Sequence, residues 1–335
     1  MSYSGDRYTG YCALDFGGVI YEGGMHTRGE QPTLFSLEIA FNDSMRFLID
    51  GGQQSAHAIT LPALTAAEVK AIDVHASGRG PVSIGRQAKA NSLGTRMFDG
   101  DIAEVIVYTS LPDATETKQI ETYLALKYGV TLPHDYIASD GTVIWNNATM
   151  AAWSNSVAGI GQDNTTSLNQ KQSVSATADA VVTIGLDSIA ASNAAHGSSF
   201  STDKSFMIWG NNAAGLAEVT YAGVVNSRTN RVWAVKETGT VGVVEISVPA
   251  ALGFTHLIVN SGDNTFASGN TEIALTNDGA GNLTVTYNFA DGDFFAFGPG
   301  QAVTPGGVSA NLQLWLKADN GAMVNGSNHV TNWQD

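Results

Sequence analysis

The chain has 335 residues, enough for one large or two ordinary domains, and its net charge is −15 because 31 acidic residues face only 16 Lys and Arg. With so few cations it lacks the positive face that nucleic-acid binding requires. Apolar residues make up 43% of the chain, too many for a disordered protein, yet their runs are too short to insert into a bilayer.

Strand-like segments come first along the chain. They are short apolar runs separated by clusters of Gly, Asn, Asp and Ser, and they lie at 34–41, 45–49, 69–76 and 102–108. Short strands joined by such turns favour antiparallel sheets.

One helix is predicted after these strands. Pro112 and Asp113 begin it, and Glu116 stands three residues after Asp113, the spacing of a capping box. An apolar stripe follows at helical spacing, formed by Ile120, Tyr123, Leu124 and Tyr128. Gly129 fits the next position, where a positive φ is favourable. The pattern predicts an amphipathic helix over 113–128.

The rest of the chain returns to a period of two. Leu283, Val285 and Tyr287 alternate with polar residues, as in a strand with one buried and one wet face. Further strands are predicted at 181–186, 205–209, 231–237, 244–248, 256–260, 272–275 and 294–297. Helices do not alternate with strands, which argues against a parallel α/β fold. We predict an all-β fold of antiparallel, jelly-roll-like β-sandwiches with one short helix.

A linker rich in Pro and Gly is predicted at 299–307, because it breaks any regular element. A new strand is predicted directly after it, at 312–319. We therefore expect 308–335 to be the truncated start of a further domain, in a longer tandem protein.

Two segments resemble laminin-G-like, concanavalin A-type jelly rolls. Phe98, Gly100, the strand at 102–105 and the helix ending at 123–129 are similar to the last part of such a domain. The pattern LWLKAD at 314–319, followed by Trp-Gln-Asp, is similar to its first part. The resemblance implies that 1–132 is the later part of one jelly roll and 308–335 the start of another.

Residues 137–298 resemble a bacterial surface-protein β-sandwich module of unknown function that accompanies such jelly rolls. The motifs that carry this resemblance lie at 158–163, 168–173, 206–212, 231–239 and 291–298. The resemblance implies a separate sandwich domain and no reaction.

Catalysis is not expected. Concanavalin A-type folds include glucanases, which need two carboxylates across the sugar bond. Asp101 and Glu104 are the nearest such pair, but residues three apart in a strand point to opposite faces, and Glu104 is expected to pair with a neighbour on the sheet. The sequence has no GxSxG elbow, Walker loop or HExxH pair. We predict that the chain is not an enzyme and has no catalytic residues.

Calcium is the one metal that the sequence suggests. The single cysteine, Cys12, excludes a thiolate zinc site and an intrachain disulfide. Oxygen ligands for calcium could come from Asn277, Asp278, Asp291 and Asp293, in Gly-rich loops near the end of the sandwich. The alternative is that Asn-Asp-Gly at 277–279 forms a tight hairpin turn, its more frequent role.

A sugar-stacking platform could come from the tryptophans at 145, 153, 209 and 233. Trp233 lies in an alternating strand, so we expect it in the core. Trp145 stands among Asn146, Asn147 and Thr149, so it is the residue expected at the surface and the candidate for ligand binding.

The predicted function is a non-catalytic binding or adhesion module of a large bacterial cell-surface or secreted multidomain protein. Binding residues usually lie on loops of a rigid sandwich, and the lectin-like resemblance implies a glycan or another surface ligand as the partner. The acidic surface disfavours anionic polymers, and neither nucleic acid nor membrane insertion is expected. The alternatives are a structural spacer in a repetitive surface protein and an accessory module of a glycan-degrading enzyme.

Overall fold

The computed structural model describes residues 9–16, 19–26, 32–40, 44–58, 101–108, 110–220, 227–299, 322–327 and 329–333. Within them, all strand pairs are antiparallel and one α-helix is present. The predicted strands at 69–76 and 312–319 lie outside the described residues, as does the linker at 299–307 apart from residue 299.

Helix α1 (Ala114–Tyr128) has the two caps that the sequence predicts. Asp113 Oδ1 accepts hydrogen bonds from the backbone of Thr115 at 2.7 Å and of Glu116 at 2.8 Å. Glu116 Oε2 accepts the Asp113 N–H at 2.8 Å, which completes the capping box. The bounds of the predicted helix, 113–128, are confirmed, but the predicted apolar stripe is only half-buried, and the buried face is formed by Glu121, Thr122, Ala125 and Leu126. Among the described residues, no helix is long and apolar enough to cross a membrane.

The described strands are mostly short, as predicted, and are numbered here in chain order. Those before and just after α1 are β1 (Thr9–Phe16), β2 (Val19–His26), β3 (Phe35–Ala40), β4 (Ser44–Ile49), β5 (Gly52–Ala58), β6 (Tyr136–Ile137) and β7 (Val143–Trp145). The next are β8 (Asn155–Asp163), β9 (Leu168–Gln170), β10 (Gln172–Val174), β11 (Thr183–Leu186), β12 (Ser205–Asn211), β13 (Glu218–Thr220), β14 (Ser227–Thr229) and β15 (Trp233–Thr238). The last are β16 (Val244–Pro249), β17 (His256–Ser261), β18 (Thr271–Ala274), β19 (Thr276–Asn277), β20 (Asn282–Tyr287), β21 (Asp293–Gly298), β22 (Ala322–Val324) and β23 (Val330–Trp333).

Two antiparallel sheets enclose the main apolar core. One has seven strands in the order β18-β17-β21-β15-β12-β8-β9, and the other has five in the order β10-β11-β16-β20-β19. Side chains from both sheets fill the space between them, among them Ile184, Ile246, Trp209, Trp233 and Phe295. Trp233 stacks on Phe295 with ring centroids 5.3 Å apart. This arrangement is a β-sandwich, and it confirms the predicted fold class.

The seven-stranded sheet is covered on its other face by α1. A second core forms there from Ala125 and Leu126 of the helix, Trp145 of β7, and Phe206 and Ile208 of β12. All seven residues of β12 are buried, because its alternate side chains enter the two cores in turn. The body therefore has three layers: helix, seven-stranded sheet and five-stranded sheet.

A glycine in β8 allows α1 to lie close to the sheet. A Cβ added at Gly159 would lie 2.7 Å from Leu126 Cδ2 and 3.0 Å from Ile208 Cγ1. The neighbours Ala158 and Ile160 face the opposite way, into the sandwich core. The Gly-Ile-Gly motif therefore serves helix packing and forms no loop.

The three-stranded sheet β3-β4-β5 meets the helix side of this body through Leu34 and through the turn at Gly51. Leu34, just before β3, is buried in the same core as Ala125 and Leu126. The turn between β4 and β5 is tied back to it, because Leu34 N–H donates to Asp50 Oδ1 at 2.9 Å and Asp50 N–H donates to the Leu34 carbonyl at 3.0 Å.

The structure differs from the sequence predictions at two places. Residues 101–108, all described, form no strand, although 102–108 was predicted as one. Apolar content suggested a strand, but a strand also needs a backbone partner. The domain boundary predicted between 132 and 137 is crossed by a continuous core, because α1 precedes it and packs on the sheet that follows it.

Candidate ligand-binding groove

A shallow groove of about 340 Å³ opens where α1 ends against the edge of the five-stranded sheet. Lys127, Tyr128 and Gly129 form its wall on the helix side. The sheet side is formed by Gln170, Gln172, Ser173, Val174, Thr183 and Asn193. Its volume lies at the lower end of the range for small-molecule sites, and most of its lining residues have polar side chains.

Backbone contacts fix the end of α1 against β10. Gly129 has a left-handed φ of 70°, which ends the helix, and its N–H donates to the Ala125 carbonyl. Its own carbonyl accepts the Ala176 N–H at 2.8 Å. A Cβ at this position would collide with the Val174 carbonyl oxygen. Glycine is therefore needed both for the turn and for the close approach that forms this wall.

The amide side chains of the groove are held in fixed orientations. Gln172 donates to the Ala190 carbonyl at 2.9 Å and accepts the Ala190 N–H at 2.7 Å. Asn193 accepts the Lys171 N–H at 2.6 Å and donates to the Asn169 carbonyl at 2.9 Å. An amide has two N–H donors and two lone pairs, so each side chain keeps capacity for a further hydrogen bond in a preset direction.

Lys127, Tyr123 and Tyr128, which we call the carboxylate cage, hold Glu104 at the helix end of the groove. Lys127 Nζ donates to Glu104 Oε2 at 2.8 Å and to the Tyr123 hydroxyl at 2.7 Å. The Tyr128 hydroxyl donates to the same Oε2 at 2.9 Å, and the Tyr123 hydroxyl donates to Oε1 at 3.1 Å. The ammonium lies 5.0 and 5.5 Å from the centroids of the Tyr123 and Tyr128 rings, within cation–π range.

The cage favours the charged forms of its ion pair. Burial opposes ionisation of Glu104, but the hydrogen bonds from Lys127 and the two tyrosines outweigh it and lower the Glu104 pKa. The hydrogen bond to Glu104 raises the pKa of Lys127. Burial, with the hydrogen bond to Glu104, raises the pKa of Tyr128. At neutral pH the carboxylate and ammonium are therefore charged, and the Tyr128 phenol remains a donor.

The structure corrects the prediction that Trp145 is a surface residue for a ligand. Its side chain is 0% exposed and lies in the core with Phe206. Its indole N–H donates to Ser154 Oγ at 3.2 Å. The polar residues that follow Trp145 form a turn, while the tryptophan itself lies in the core between α1 and the sheet. Trp233 is in the main core, as predicted.

The four predicted calcium ligands lie at two separate turns. Asn277 and Asp278 precede β20, whereas Asp291 and Asp293 follow it, and a six-residue strand spans about 17 Å. Asn277 and Asp278 instead take the alternative role, a tight hairpin turn. Asp278 Oδ1 accepts the Asn282 N–H at 3.0 Å inside the hairpin between β19 and β20.

The second pair of these residues is also engaged within the fold. Asp291 Oδ2 accepts from Lys236 Nζ at 2.7 Å, and Asp293 Oδ1 accepts from Ser261 Oγ at 2.7 Å. In the part of the chain that the structure describes, no three His, Cys, Asp or Glu side chains are grouped to hold a metal ion. The predicted calcium site over these four residues is therefore not formed.

Asp101 and Glu104 do not form a carboxylate pair for glycoside cleavage. Asp101 is exposed, while Glu104 points to α1 and is bound by the carboxylate cage. The expectation that Glu104 pairs with a neighbour on a sheet is corrected, because its partners lie on the helix.

A second polar cluster joins Ser139, Asp163 and Lys204. Lys204 Nζ contacts both Asp163 Oδ1 and Ser139 Oγ. Ser139 donates its hydroxyl to Asp163 Oδ1 at 2.9 Å and its N–H to Oδ2 at 3.0 Å. Burial opposes ionisation of Asp163, but these hydrogen bonds outweigh it and lower its pKa. An ammonium paired with an ionised carboxylate is a poor base for Ser139, so the cluster cross-links three chain segments.

The sequence alone did not identify the groove. Tyr128 and Gln172 lie in motifs that the resemblances single out, at 123–129 and 168–173. Their meeting depends on how α1 docks against β10, and no local pattern encodes that contact. The helix end marked by Gly129 is the one signal that could have indicated it.

Comparison with known proteins places the chain in a family. No curated protein and no solved structure matches it. One family model matches residues 116–293, just over half of the chain. The match begins within α1 and ends at the first residue of β21, so it covers the helix and most of the sandwich. The chain therefore belongs to the family defined by this domain of unknown function, DUF8202.

Proposed function

We propose that the chain is a non-catalytic binding module of a large bacterial cell-surface or secreted multidomain protein, and that it binds a glycan in the groove at the end of α1. The observation that carries this proposal is the groove lining, in which the Tyr128 ring stands beside amide and hydroxyl side chains on a three-layered body.

Sugars present apolar C–H faces and closely spaced hydroxyls, and the groove offers partners for both. Tyr128 lines the groove, and in this proposal its half-buried ring supplies the apolar surface. Gln172, Asn193 and Thr183 provide hydrogen-bond donors and acceptors on the opposite side. Because both amides are already fixed, a ligand would lose little affinity to ordering them.

The groove chemistry supports binding without catalysis. A retaining glycosidase places two carboxyl groups about 5–5.5 Å apart across the sugar bond. None of the residues that line the groove is Asp or Glu. Glu104, at its helix end, accepts three hydrogen bonds in the carboxylate cage.

A structural spacer is the alternative function. It is favoured by the core that Leu34 shares with Ala125 and Leu126, because this core stiffens the connection between the three-stranded sheet and the sandwich. The surface or secreted setting is supported by the acidic composition and by the resemblance of 98–132 to laminin-G-like jelly rolls.

The test is a glycan array with the full chain, followed by calorimetry of any ligand found. Tyr128→Ala is expected to weaken binding about tenfold, or about 1.4 kcal/mol, because it removes the stacking surface. Tyr108→Ala is the matched control, since Tyr108 is 54% exposed and lies outside the groove. Binding that Tyr128→Ala leaves unchanged would contradict the proposed site. Silence across the array would favour the spacer.

A further inference from the structure

The groove ends at a preformed site for a carboxylate. Three donors of the carboxylate cage converge on Glu104: the Lys127 ammonium at 2.8 Å, the Tyr128 hydroxyl at 2.9 Å and the Tyr123 hydroxyl at 3.1 Å. All three belong to α1, and Lys127 is held between the two rings by cation–π contacts. One helix therefore positions the whole donor set, whichever carboxylate occupies it.

The segment that supplies Glu104 leaves most of its apolar side chains exposed. Residues 101–108 form no strand, and Ile102, Val105 and Val107 are 46%, 51% and 83% exposed. Such a segment buries little apolar surface that would hold it in place. Among the described residues, Glu104 is the side chain of this segment that contacts α1 through the carboxylate cage, so another carboxylate would compete with it for the same donors.

The cage and the groove share residues. Lys127 and Tyr128 bind Glu104 and also line the groove, and the Lys127 side chain is 37% exposed. A ligand lying in the groove can therefore bring an acidic group to the same two donors.

We propose that the groove selects glycans that carry a carboxylate, such as a uronic acid unit, and that this carboxylate replaces Glu104 on Lys127 and Tyr128. The inference rests on the proposed glycan-binding function and specifies its ligand class. Glu104 then acts as an internal competitor. The apparent affinity equals the intrinsic affinity multiplied by the fraction of molecules whose cage is free.

The net charge of −15 restricts this class further. Screening at physiological salt limits repulsion to about 8 Å, so one carboxylate paired with Lys127 is tolerated. A long polyuronate would place many unpaired charges against the acidic chain. The expected ligand is a mostly neutral glycan with an isolated acidic unit.

The test uses the full chain and matched pairs of oligosaccharides in calorimetry. Each pair consists of an oligosaccharide ending in glucuronate, galacturonate or mannuronate and its carboxyl-reduced, neutral form. For at least one pair, the acidic form is expected to bind about tenfold more tightly. Glu104→Gln should tighten acidic binding several-fold more than neutral binding, and Lys127→Met should remove the preference for acid. Glu218→Gln, the same change at a glutamate of β13, is the control.

Three outcomes would overturn the inference. Equal affinity for acidic and neutral forms, with dependence on Tyr128, would leave the groove as a glycan site without acid selection. Weaker acidic binding by a folded Glu104→Gln variant would make Glu104 part of the site instead of its competitor. Tyr123→Phe removes one donor of the carboxylate cage that does not line the groove, and it provides a second variant for this comparison. No binding of any pair or of any array glycan would overturn the proposed function as well.

Discussion

At the scale of single residues, Gly161 shows how a position without a side chain shapes this fold. It lies in β8 and pairs with Phe206 of the neighbouring strand β12. A Cβ at Gly161 would lie 2.8 Å from the Ser205 carbonyl oxygen and would collide with the Phe206 ring. Phe206 is part of the core beneath α1, so any shift of its ring would be transmitted to the helix.

Gly161→Ala is therefore expected to destabilise the protein by about 1–3 kcal/mol, the usual cost of overpacking a core. Gly215→Ala is the matched control, because a Cβ there meets nothing within 4 Å. The control should change stability by less than about 0.5 kcal/mol. Urea unfolding of the two variants measures the difference, and equal effects would show that the sheet accommodates the added methyl group.

Residues that act through distant contacts were the hardest to predict. Trp145 has polar neighbours in sequence, which suggested exposure, but it is buried in the core that also contains Leu126 of α1 and Phe206 of β12. Asp278, in contrast, accepts hydrogen bonds from within its own turn, so its turn role could be read from Asn-Asp-Gly. Local chemistry was predictable, whereas burial depended on the assembled sheets.

At the scale of elements, too, features set by local sequence were predictable, whereas features set by distant contacts were not. The ends of α1 are set by Asp113, Glu116 and Gly129, all within reach of the sequence pattern. Strands β16 and β20 alternate and were predicted because one face of the five-stranded sheet is wet. Strand β8 is buried on both faces and contains glycines, so it has no period of two and was not predicted.

The junction between α1 and the three-stranded sheet contains a buried ion pair. His134 Nε2 lies 2.6 Å from Glu121 Oε2, and Glu121 Oε1 is buried without a hydrogen-bond partner among the described residues. Gly51, in the turn between β4 and β5, packs directly on the imidazole, so any side chain there would collide with it. The turn between β4 and β5 therefore packs against the contact between His134 and Glu121.

The junction predicts a pH dependence of stability. Burial opposes protonation of His134, but hydrogen bonds to Glu121 and to the Asp135 carbonyl outweigh it and raise its pKa above the ordinary 6.5. The stabilisation is therefore complete below pH 6.5 and is lost as the pH rises through the folded-state pKa. His134→Gln should cost about 1.5–3 kcal/mol at low pH, the range for hydrogen bonds to charged groups, and less at high pH.

Urea unfolding of the wild type and of His134→Gln across this pH range tests the sign. The difference in unfolding free energy should shrink as the pH rises. His256→Gln, at a histidine of β17 whose Nδ1 contacts Thr255, is the control for replacing an imidazole elsewhere in the sandwich. A difference that grows with pH would contradict the assigned ion pair.

At the scale of the whole molecule, the seven-stranded sheet needs covers on both faces. One cover is the five-stranded sheet, and the other is α1 together with β6 and β7. The family match from residue 116 to 293 includes both covers. The sequence resemblances divided the chain at 132–137, which assigns α1 to the preceding domain although its apolar side contacts the sheet that follows.

This arrangement predicts where an independent folding unit begins. A fragment of residues 113–299 keeps the N-cap and α1, so it should unfold in one cooperative transition. A fragment of 137–299 would leave Phe206, Ile208 and their core neighbours uncovered. Each large buried side chain contributes about 1.5–3 kcal/mol, whereas a whole domain is stable by only about 5–15 kcal/mol. The shorter fragment should therefore lose its cooperative transition and bind a hydrophobic dye, as followed by calorimetry and dye fluorescence.

A fragment of 101–299, which restores Glu104 to the carboxylate cage, should be at least as stable as 113–299. Equal stability of 137–299 and 113–299 would return the boundary to the loop after α1 and make the helix a dispensable cover.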